Sequence, residues 1–478
     1  MDVTDSSGAA LRGIAQLPGP KGLPVLGNVR DLNPATFHQT LENWAREFGP
    51  LYTFGAFARR FVVTADNELI AQMLRSRPDK LRRTRHIAGI MEEMGVSGVF
   101  NAEGEEWRRQ RKLVMRAFTP EVIHNFFPTL TALTERLHLR WHAAIARGET
   151  VDVWRDLKAW TLDVTISLAM GQDINTLEHE DNRLQRDIEF IFKRMGRRLV
   201  SPLAYWRFIK LPIDHATDAA FARIALAVNG FIAQTRARLE ADPALRSKPS
   251  NMLEAFVAAR DEADSGFTDA NVVGNALTMV FAGEDTTSTS SAWLLDFLAR
   301  DGASAAAMAR EADEALGESA VLQDHRALDQ MHFTEAATRE SMRLKPVAPY
   351  MGVEPLGDLQ IGDTLIPKGT PIMVLLRHSA ERISELEAPE QFRPERWMPE
   401  QGAEGSNDPG RTLFPFGGGA RFCPGRYLAM AEIKVVMSML FRNFELELDR
   451  CAPPVEERFT FTMTPSALPV RLKLRQPR

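Results

Sequence analysis

Apolar positions recur at three- and four-residue spacing through long stretches of this chain, most clearly over 121–149 and 215–242. That spacing predicts helices across most of 67–345. Proline-bearing breaks near 202–212 and 243–249 separate some of them. Ahead of the helices, LPGPKGLPVLGN (17–28) is too rich in Pro and Gly for a continuous helix and reads as an extended lead-in. LYTFGAFARRFVVTAD (51–66) carries β-branched and aromatic runs around Gly55 and predicts a strand pair with a turn. Past 346 the texture changes. LQIGDTLIPKGTPIMVLL (359–376) predicts short strands, a helix returns near 425–441, and RFTFTM and LPVRLKL form a β-like tail. No fixed-period repeat and no Gly/Ser/Pro-rich linker divides the chain. The pattern predicts a single domain over 17–478, mainly α with a smaller β portion (α+β), behind a disordered lead at 1–16.

Composition narrows the class. Of 478 residues, 44% are apolar, enough for a sizeable core, and a net charge of −5 gives no reason to expect nucleic acid as a partner. Cys423 and Cys451 are the only cysteines. That excludes a disulfide framework and fits a reducing cytosol, although one Cys423–Cys451 bridge stays formally open. No run at the N-terminus has the length of a signal peptide or membrane anchor, and none elsewhere reads as transmembrane. The expectation is a cytoplasmic protein.

The chemistry concentrates in FPFGGGARFCPGRYLA (414–429). Three consecutive glycines allow a tight turn and close approach to a flat partner. Cys423 follows, just before a helical pattern that starts at Arg426, where helix amides and the local dipole favour a thiolate. A buried, inert cysteine in a glycine-rich turn is one reading. A thiolate–metal site without further Cys or His nearby is another, and it suits a metal whose other ligands come from a macrocycle.

Phe416, Gly417, Gly419, Arg421, Cys423 and Gly425 match F-G-x-G-x-R-x-C-x-G without a gap. The segment resembles the haem-binding signature of the cytochrome P450 family. The resemblance implies the cytochrome P450 fold and haem b (iron protoporphyrin IX) ligated by the Cys423 thiolate, with Phe416 and Gly417 among the cofactor-binding residues.

Three distant segments carry the same resemblance in the family's order, over about 17–475. In NALTMVFAGEDTTSTSSAWLLDFL (275–298), Gly283, Glu284, Asp285, Thr286 and Thr287 interrupt an otherwise apolar helix. Gly and consecutive Thr are poor mid-helix residues, so either one helix ends here with Asp285 capping the next, or a helix opens locally over a site. Ala282 to Thr286 resembles A-G-x-(D/E)-T. This implies that Thr286 hydrogen-bonds the reacting oxygen and that Asp285 helps bring protons from solvent. In EAATRESMRLKPVAP (335–349), Glu340 and Arg343 share a helix face and would ordinarily be a minor surface pair. The resemblance to E-x-x-R makes them, with Arg396, a buried structural network. In EEWRRQRKLVMRAF (105–118), Trp107 and Arg111 lie one turn apart and resemble the W-x-x-x-R pair that meets a haem propionate, with Arg421 a further donor. One departure stands out: where many relatives carry an arginine, Gly352 to Pro355 has none.

The implied activity is a monooxygenase that takes O2 and electrons from an external ferredoxin or flavodoxin-type donor. Arg108, Arg109 and Lys112 offer a basic patch for that donor, or simply a solvated face. By family position the pocket walls come from the 85–100 loop (Ile87, Ile90, Val99), the helix around Met279, Phe281 and Ala282, the segment Val347, Ala348, Tyr350 and Met351, and Thr462 and Met463 in the tail. Their apolar character predicts a lipophilic substrate such as a fatty acid, terpenoid or polyketide. Arg85, Arg194 and Arg198 are candidates to meet a carboxylate, with surface placement as the alternative. A peroxide-driven enzyme, a non-redox enzyme of the same fold and a non-catalytic haem protein are the rival readings. Asp285 and Thr286 weigh against all three.

Overall fold

The computed structural model describes residues 11–179, 183–201, 203–262, 265–381, 386–398 and 413–475. In chain order the elements are β1 (Arg12–Gly13), α1 (Phe37–Phe48), β2 (Leu51–Ala56), β3 (Arg59–Thr64), α2 (Asn67–Arg75), β4 (Leu81–Arg83), α3 (Arg85–Glu93), α4 (Gly104–Ala117), α5 (Pro120–Ala146), α6 (Val153–Met170), α7 (Arg183–Val200) and α8 (Pro212–Ala241). Then come α9 (Met252–Asp261), α10 (Asp269–Arg300), α11 (Gly302–Leu316), α12 (His332–Leu344), β5 (Tyr350–Pro355), β6 (Leu359–Ile361), β7 (Thr364–Ile366), β8 (Ile372–Leu375), α13 (Leu376–Glu381), α14 (Arg426–Asn443), β9 (Phe444–Leu448), β10 (Glu457–Phe459), β11 (Met463–Pro465) and β12 (Val470–Leu474). The fold is mainly helical with a smaller sheet portion, as the residue pattern predicts.

Strands β2-β3-β8-β5-β4 form one mixed sheet, in which only β3 and β8 run parallel. Its hairpin turn falls at Phe57 and Ala58, while Gly55 stays inside β2. Of the lead expected to be disordered, residues 1–10 lie outside the described residues, and so does Pro202 in the first predicted break. Arg12 and Gly13 pair in parallel with β7, and Arg12 also meets Asp363 at 2.7 Å.

Helix α10 is the axis of the helical part. Thr268 caps it, with Asn271 completing a capping box, and it then runs unbroken to Arg300. Leu277, Val280, Leu294, Leu295 and Leu298 are all buried along one face, while Ala282 near the middle of the helix stays exposed. Neither an interruption nor a local opening occurs at 283–287. Instead the small polar side chains bond back into the helix: Thr286 Oγ1 donates to Ala282 O (2.8 Å), Ser288 Oγ to Glu284 O (2.7 Å) and Ser290 Oγ to Thr286 O (2.8 Å).

By length and composition α8 is long and apolar enough to cross a membrane, although the sequence pattern alone does not single it out. In the fold its Ile224, Val228 and Ile232 join the core shared with α7, α9 and α10.

Candidate active site

The loop before α14 is built by its glycines. Gly417 and Gly419 have φ of 69° and 62°, and a Cβ on Gly419 would sit 2.1 Å from Leu74 O. The Cys423 amide donates to Phe416 O (2.8 Å), closing the loop and setting Cys423 at the mouth of α14. Cys423 and Cys451 are both free thiols. Burial pushes the Cys423 thiol up, against the Gly425 amide and the charges of Arg111 and Arg426. The helix start therefore helps the thiolate less than its position predicts.

Cys423 lines a cavity of about 1350 Å3. The same cavity is lined by Phe416, Gly417 and Arg421 of the loop, by Trp107 and Arg111 of α4, and by Met279, Ala282 and Thr286 of α10. Arg111 Nη2 donates to Phe422 O (2.7 Å), and the Arg421 guanidinium stacks 4.8 Å from the Trp107 ring centroid. Arg421 Nη2 also bonds Ala102 O and Glu103 Oε2, both at 2.5 Å.

Two further arginines complete this wall. Arg77 and Arg83 line the cavity, and the Nε atoms of Arg77, Arg83 and Arg421 are buried without an acceptor among the described residues. Burial and mutual repulsion push the Arg77 guanidinium down to about 10 and that of Arg83 to about 9, with Glu103 opposing. Three guanidinium groups around the one carboxylate of Glu103, each with an orphaned Nε, and Arg111 beside them would fit the two propionates of a haem whose iron Cys423 would hold. Arg83 pairs in the β4–β5 ladder with Val353, within the segment that lacks the expected arginine, so the neighbouring strand supplies the charge. Sequence reasoning missed both residues, because neither Arg77 nor Arg83 falls in one of the segments that carry the family's motifs.

Of the remaining predicted walls, Ile87, Val99, Val347, Ala348, Tyr350, Met351 and Thr462 line the cavity. Ile90, Phe281 and Met463 do not. The 85–100 segment contains α3 rather than being a loop throughout, and Ile90 turns into the core beside Met91 and Met94. Phe281 packs edge-on against Phe192, centroids 5.6 Å apart. Met463 opens β11 just past Thr462, and its Sδ accepts from Arg377 Nη1 at 3.4 Å, away from the cavity. Arg194 and Arg198 are buried against Asp214 at 2.9 and 3.2 Å, whereas Arg85 is exposed at the cavity rim beside Glu354.

Asp285 does not face the cavity directly. It is buried, and the Thr462 hydroxyl donates to its Oδ2. Burial raises its carboxyl, while Thr462 and Lys158 pull it back down. Glu432 of α14 lines the cavity and was not anticipated. Its partner is the Thr287 hydroxyl, and burial pushes its carboxyl up to about 8.

Glu340, Arg343 and Arg396 come together out of solvent. Glu340 accepts from Arg343 Nε (2.8 Å) and Nη2 (2.9 Å), Arg396 Nε (3.1 Å) and the Trp397 indole (2.8 Å). This knot ties α12 to the segment at 391–397.

The sequence model of the family described as Cytochrome P450 matches residues 17–471. The chain is 26% identical over 477 residues to a bifunctional cytochrome P450/NADPH–P450 reductase of Acremonium egyptiacum, covering 96% of this chain and 43% of that protein. It is 25% identical over 472 residues to a self-sufficient cytochrome P450 monooxygenase of Aspergillus kawachii, with the same coverage of each. A cytochrome P450 of Drosophila melanogaster is 25% identical over 459 residues, 90% of this chain and 82% of that one. The chain spans less than half the length of the first curated relatives it matches.

Proposed function

This chain belongs to the cytochrome P450 family, and on that premise we propose that it is a monooxygenase that hydroxylates C–H bonds of a lipophilic small molecule. Enzymes of the family bind haem b through a cysteine thiolate, and Cys423 is the residue of this chain suited to that role. The observation that carries the reading is one cavity lined both by Cys423, from the loop before α14, and by Thr286, from the middle of α10.

When bound, the haem supplies the activation of O2 by which one oxygen atom enters the C–H bond and the other leaves as water. The chain's own residues hold and feed that chemistry. Arg77, Arg83, Arg111, Arg421 and Trp107 anchor the propionates. Thr286 keeps its hydroxyl hydrogen on Ala282 O, which leaves its oxygen free to accept and orient a hydrogen bond in the cavity. Asp285 accepts from the Thr462 hydroxyl at Oδ2, and Thr462 lines the cavity, so this contact links the buried carboxyl to the cavity wall.

Phe37, Leu168, Ala169, Met279, Val347 and Phe461 give the cavity its apolar walls, which exclude water and favour a fatty acid, terpenoid or polyketide. Exposed Arg59 and Arg60 at the rim suit an acidic end on such a molecule. Electrons enter from a ferredoxin- or flavodoxin-type donor, or from a reductase of the kind named with the relatives. Of the expected basic patch on α4, Arg108 is paired with Asp79 and Glu105, while Arg109 and Lys112 are exposed and, with exposed Arg116 and with Arg426 three residues after Cys423, offer positive charge to such a donor.

The test is the spectrum of the reduced, carbon-monoxide-bound protein. The expected result is the far-red-shifted Soret band of thiolate-ligated haem, lost in Cys423→Ser. Its absence in the unaltered protein removes this reading. Screening lipophilic acids and terpenoids for substrate-induced spin-state shifts then identifies the substrate class.

A further inference from the structure

Tyr350 opens β5 and lines the cavity that Cys423 and Thr286 also line. Its backbone is fixed by pairing with Leu375 of β8, and the Pro349 carbonyl beside it accepts from the amides of Leu376 (2.9 Å) and Arg377 (3.1 Å). The ring is gripped from two sides. Phe37 meets it edge-on with centroids 5.4 Å apart, and Phe459 lies against it at 5.1 Å.

One knot of charge sets both of those rings. His38 and Gln39 follow Phe37 on α1, and their Nε2 atoms lie 2.8 and 2.9 Å from Glu457 Oε2. Glu457 stands two residues before Phe459 on β10, and Arg377 Nη1 donates to its other oxygen at 2.6 Å. Phe37 and Phe459 are therefore tied to one another from behind, and Tyr350 stands at the cavity on a rigid support.

Its hydroxyl differs from its neighbours. Other hydroxyls around the cavity are bound into the protein: Thr278 donates to Gly274 O (2.7 Å), Thr286 to Ala282 O (2.8 Å), Ser290 to Thr286 O (2.8 Å) and Ser201 to Leu203 O (2.8 Å). The buried Tyr52 likewise donates to Leu41 O at 2.6 Å. Among the described residues no such acceptor meets the Tyr350 hydroxyl. Burial pushes its phenol up, and no hydrogen bond or neighbouring charge contributes, so the group is neutral and keeps its proton. A neutral O–H in an apolar wall is costly unless something in the cavity accepts from it. With no cation beside it, the place suits a neutral oxygen better than a carboxylate.

We propose that the Tyr350 hydroxyl donates a hydrogen bond to a neutral oxygen of the substrate, and thereby favours lipophilic molecules that carry a ketone, ester or ether over bare hydrocarbons. The inference rests on the monooxygenase reading of the same cavity and adds the group that is recognised. Arg59 and Arg60 at the rim attract an acid by charge, whereas Tyr350 recognises an oxygen by its lone pair. A site that donates to a substrate oxygen discriminates against the analogue without one, because its own donor is then left unpaired. Tyr350 meets substrate away from the reacting atoms, so it determines specificity and takes no part in bond making.

The experiment compares the haem-loaded chain with Tyr350→Phe, which removes the hydroxyl and keeps the ring. The probes are methyl octyl ketone and the alkene in which CH2 replaces its oxygen. The two have the same shape, and neither carries a charge for Arg59 or Arg60 to meet. Binding is read by headspace partition, which needs no optical change. Tyr350→Phe should weaken the ketone several-fold and leave the alkene as it was. Isotope-edited infrared spectra should show the carbonyl stretch of the bound ketone lowered in the parent and moved back towards its value in alkane in the variant. Unchanged ketone binding, an equal loss for both probes, or a carbonyl stretch that is the same in both proteins overturns the proposal and leaves Tyr350 a packing wall. So does a parent that binds no ketone. Both proteins should keep the thiolate carbon-monoxide band. A parent without that band overturns the monooxygenase reading instead, and the infrared shift is read independently of it.

Discussion

The hydroxyl of Thr462 donates to Oδ2 of Asp285, joining the C-terminal tail to the centre of α10 across 177 positions of sequence. That bond stabilises the charged form of Asp285 and opposes the rise caused by burial. Thr462→Val removes the donor and keeps the shape. The carboxyl should then rise further, because the donor that favours its charged form is gone. The pH midpoint for coupling O2 consumption to product should move up with it. A midpoint that stays in place would show that Asp285 does not meter the protons.

The arginine wall makes a prediction that separates the haem-free protein from the loaded one. Arg77, Arg83 and Arg421 crowd around the carboxylate of Glu103, and Arg421 also repels Arg111. Arg83→Leu should speed haem loss to an excess of apomyoglobin several-fold, because a propionate loses a charged donor. It should also raise the unfolding midpoint of the haem-free protein, because a buried cation with an unmet donor is gone. If both forms lose stability together, Arg83 is a packing residue and not a propionate ligand.

The cysteine loop was readable because its chemistry is contiguous: a glycine-rich turn, a thiol and a helix start follow one another. The rest of the site is assembled from contacts that spacing along the chain does not encode. Thr462 and Asp285 meet only because the tail folds back over α10. Arg83 comes to lie beside the segment without an arginine only because β4 pairs with β5. At 283–287 propensity argued for a break, yet hydroxyls bonding to carbonyls one turn back keep α10 intact. Ile90 and Met463 had the right composition for cavity walls. What decided their placement was the direction in which a helix or strand aims each side chain, which one residue of register reverses.

Glu340 carries the acid sensitivity of the knot beneath the cavity. Burial alone would raise its carboxyl, but Arg343, the Trp397 indole and the Arg393 amide outweigh that and hold it below the ordinary range. A folded-state value below the unfolded one stabilises the fold above about pH 4.3 and is lost as pH falls through the folded value. Urea unfolding midpoints should therefore drop steeply below about pH 4, and less steeply in Glu340→Gln. Glu340→Ala strands the guanidinium groups of Arg343 and Arg396 without their carboxylate and should cost about 3–5 kcal/mol at neutral pH. A loss under about 1 kcal/mol would place these charges in effective contact with water.

Glu432 should do the reverse. It is 2% exposed on α14, and its carboxyl is pushed up to about 8 by burial, with the Thr287 hydroxyl pulling the other way. The unfolded chain loses this proton near pH 4.3, whereas the folded protein keeps it until about 8. Between those values the folded state binds more protons than the unfolded state, so stability falls as pH rises. The full window is worth on the order of 5 kcal/mol. Glu432→Gln cannot ionise and retains an amide that can bond Thr287. Its stability advantage over the parent should grow steadily from about pH 5 to about pH 8 and level off above. Equilibrium urea unfolding across that range reads the difference directly. If the two proteins run parallel, Glu432 is already ionised at neutral pH, and the interior between α10 and α14 holds a charge there rather than a neutral acid.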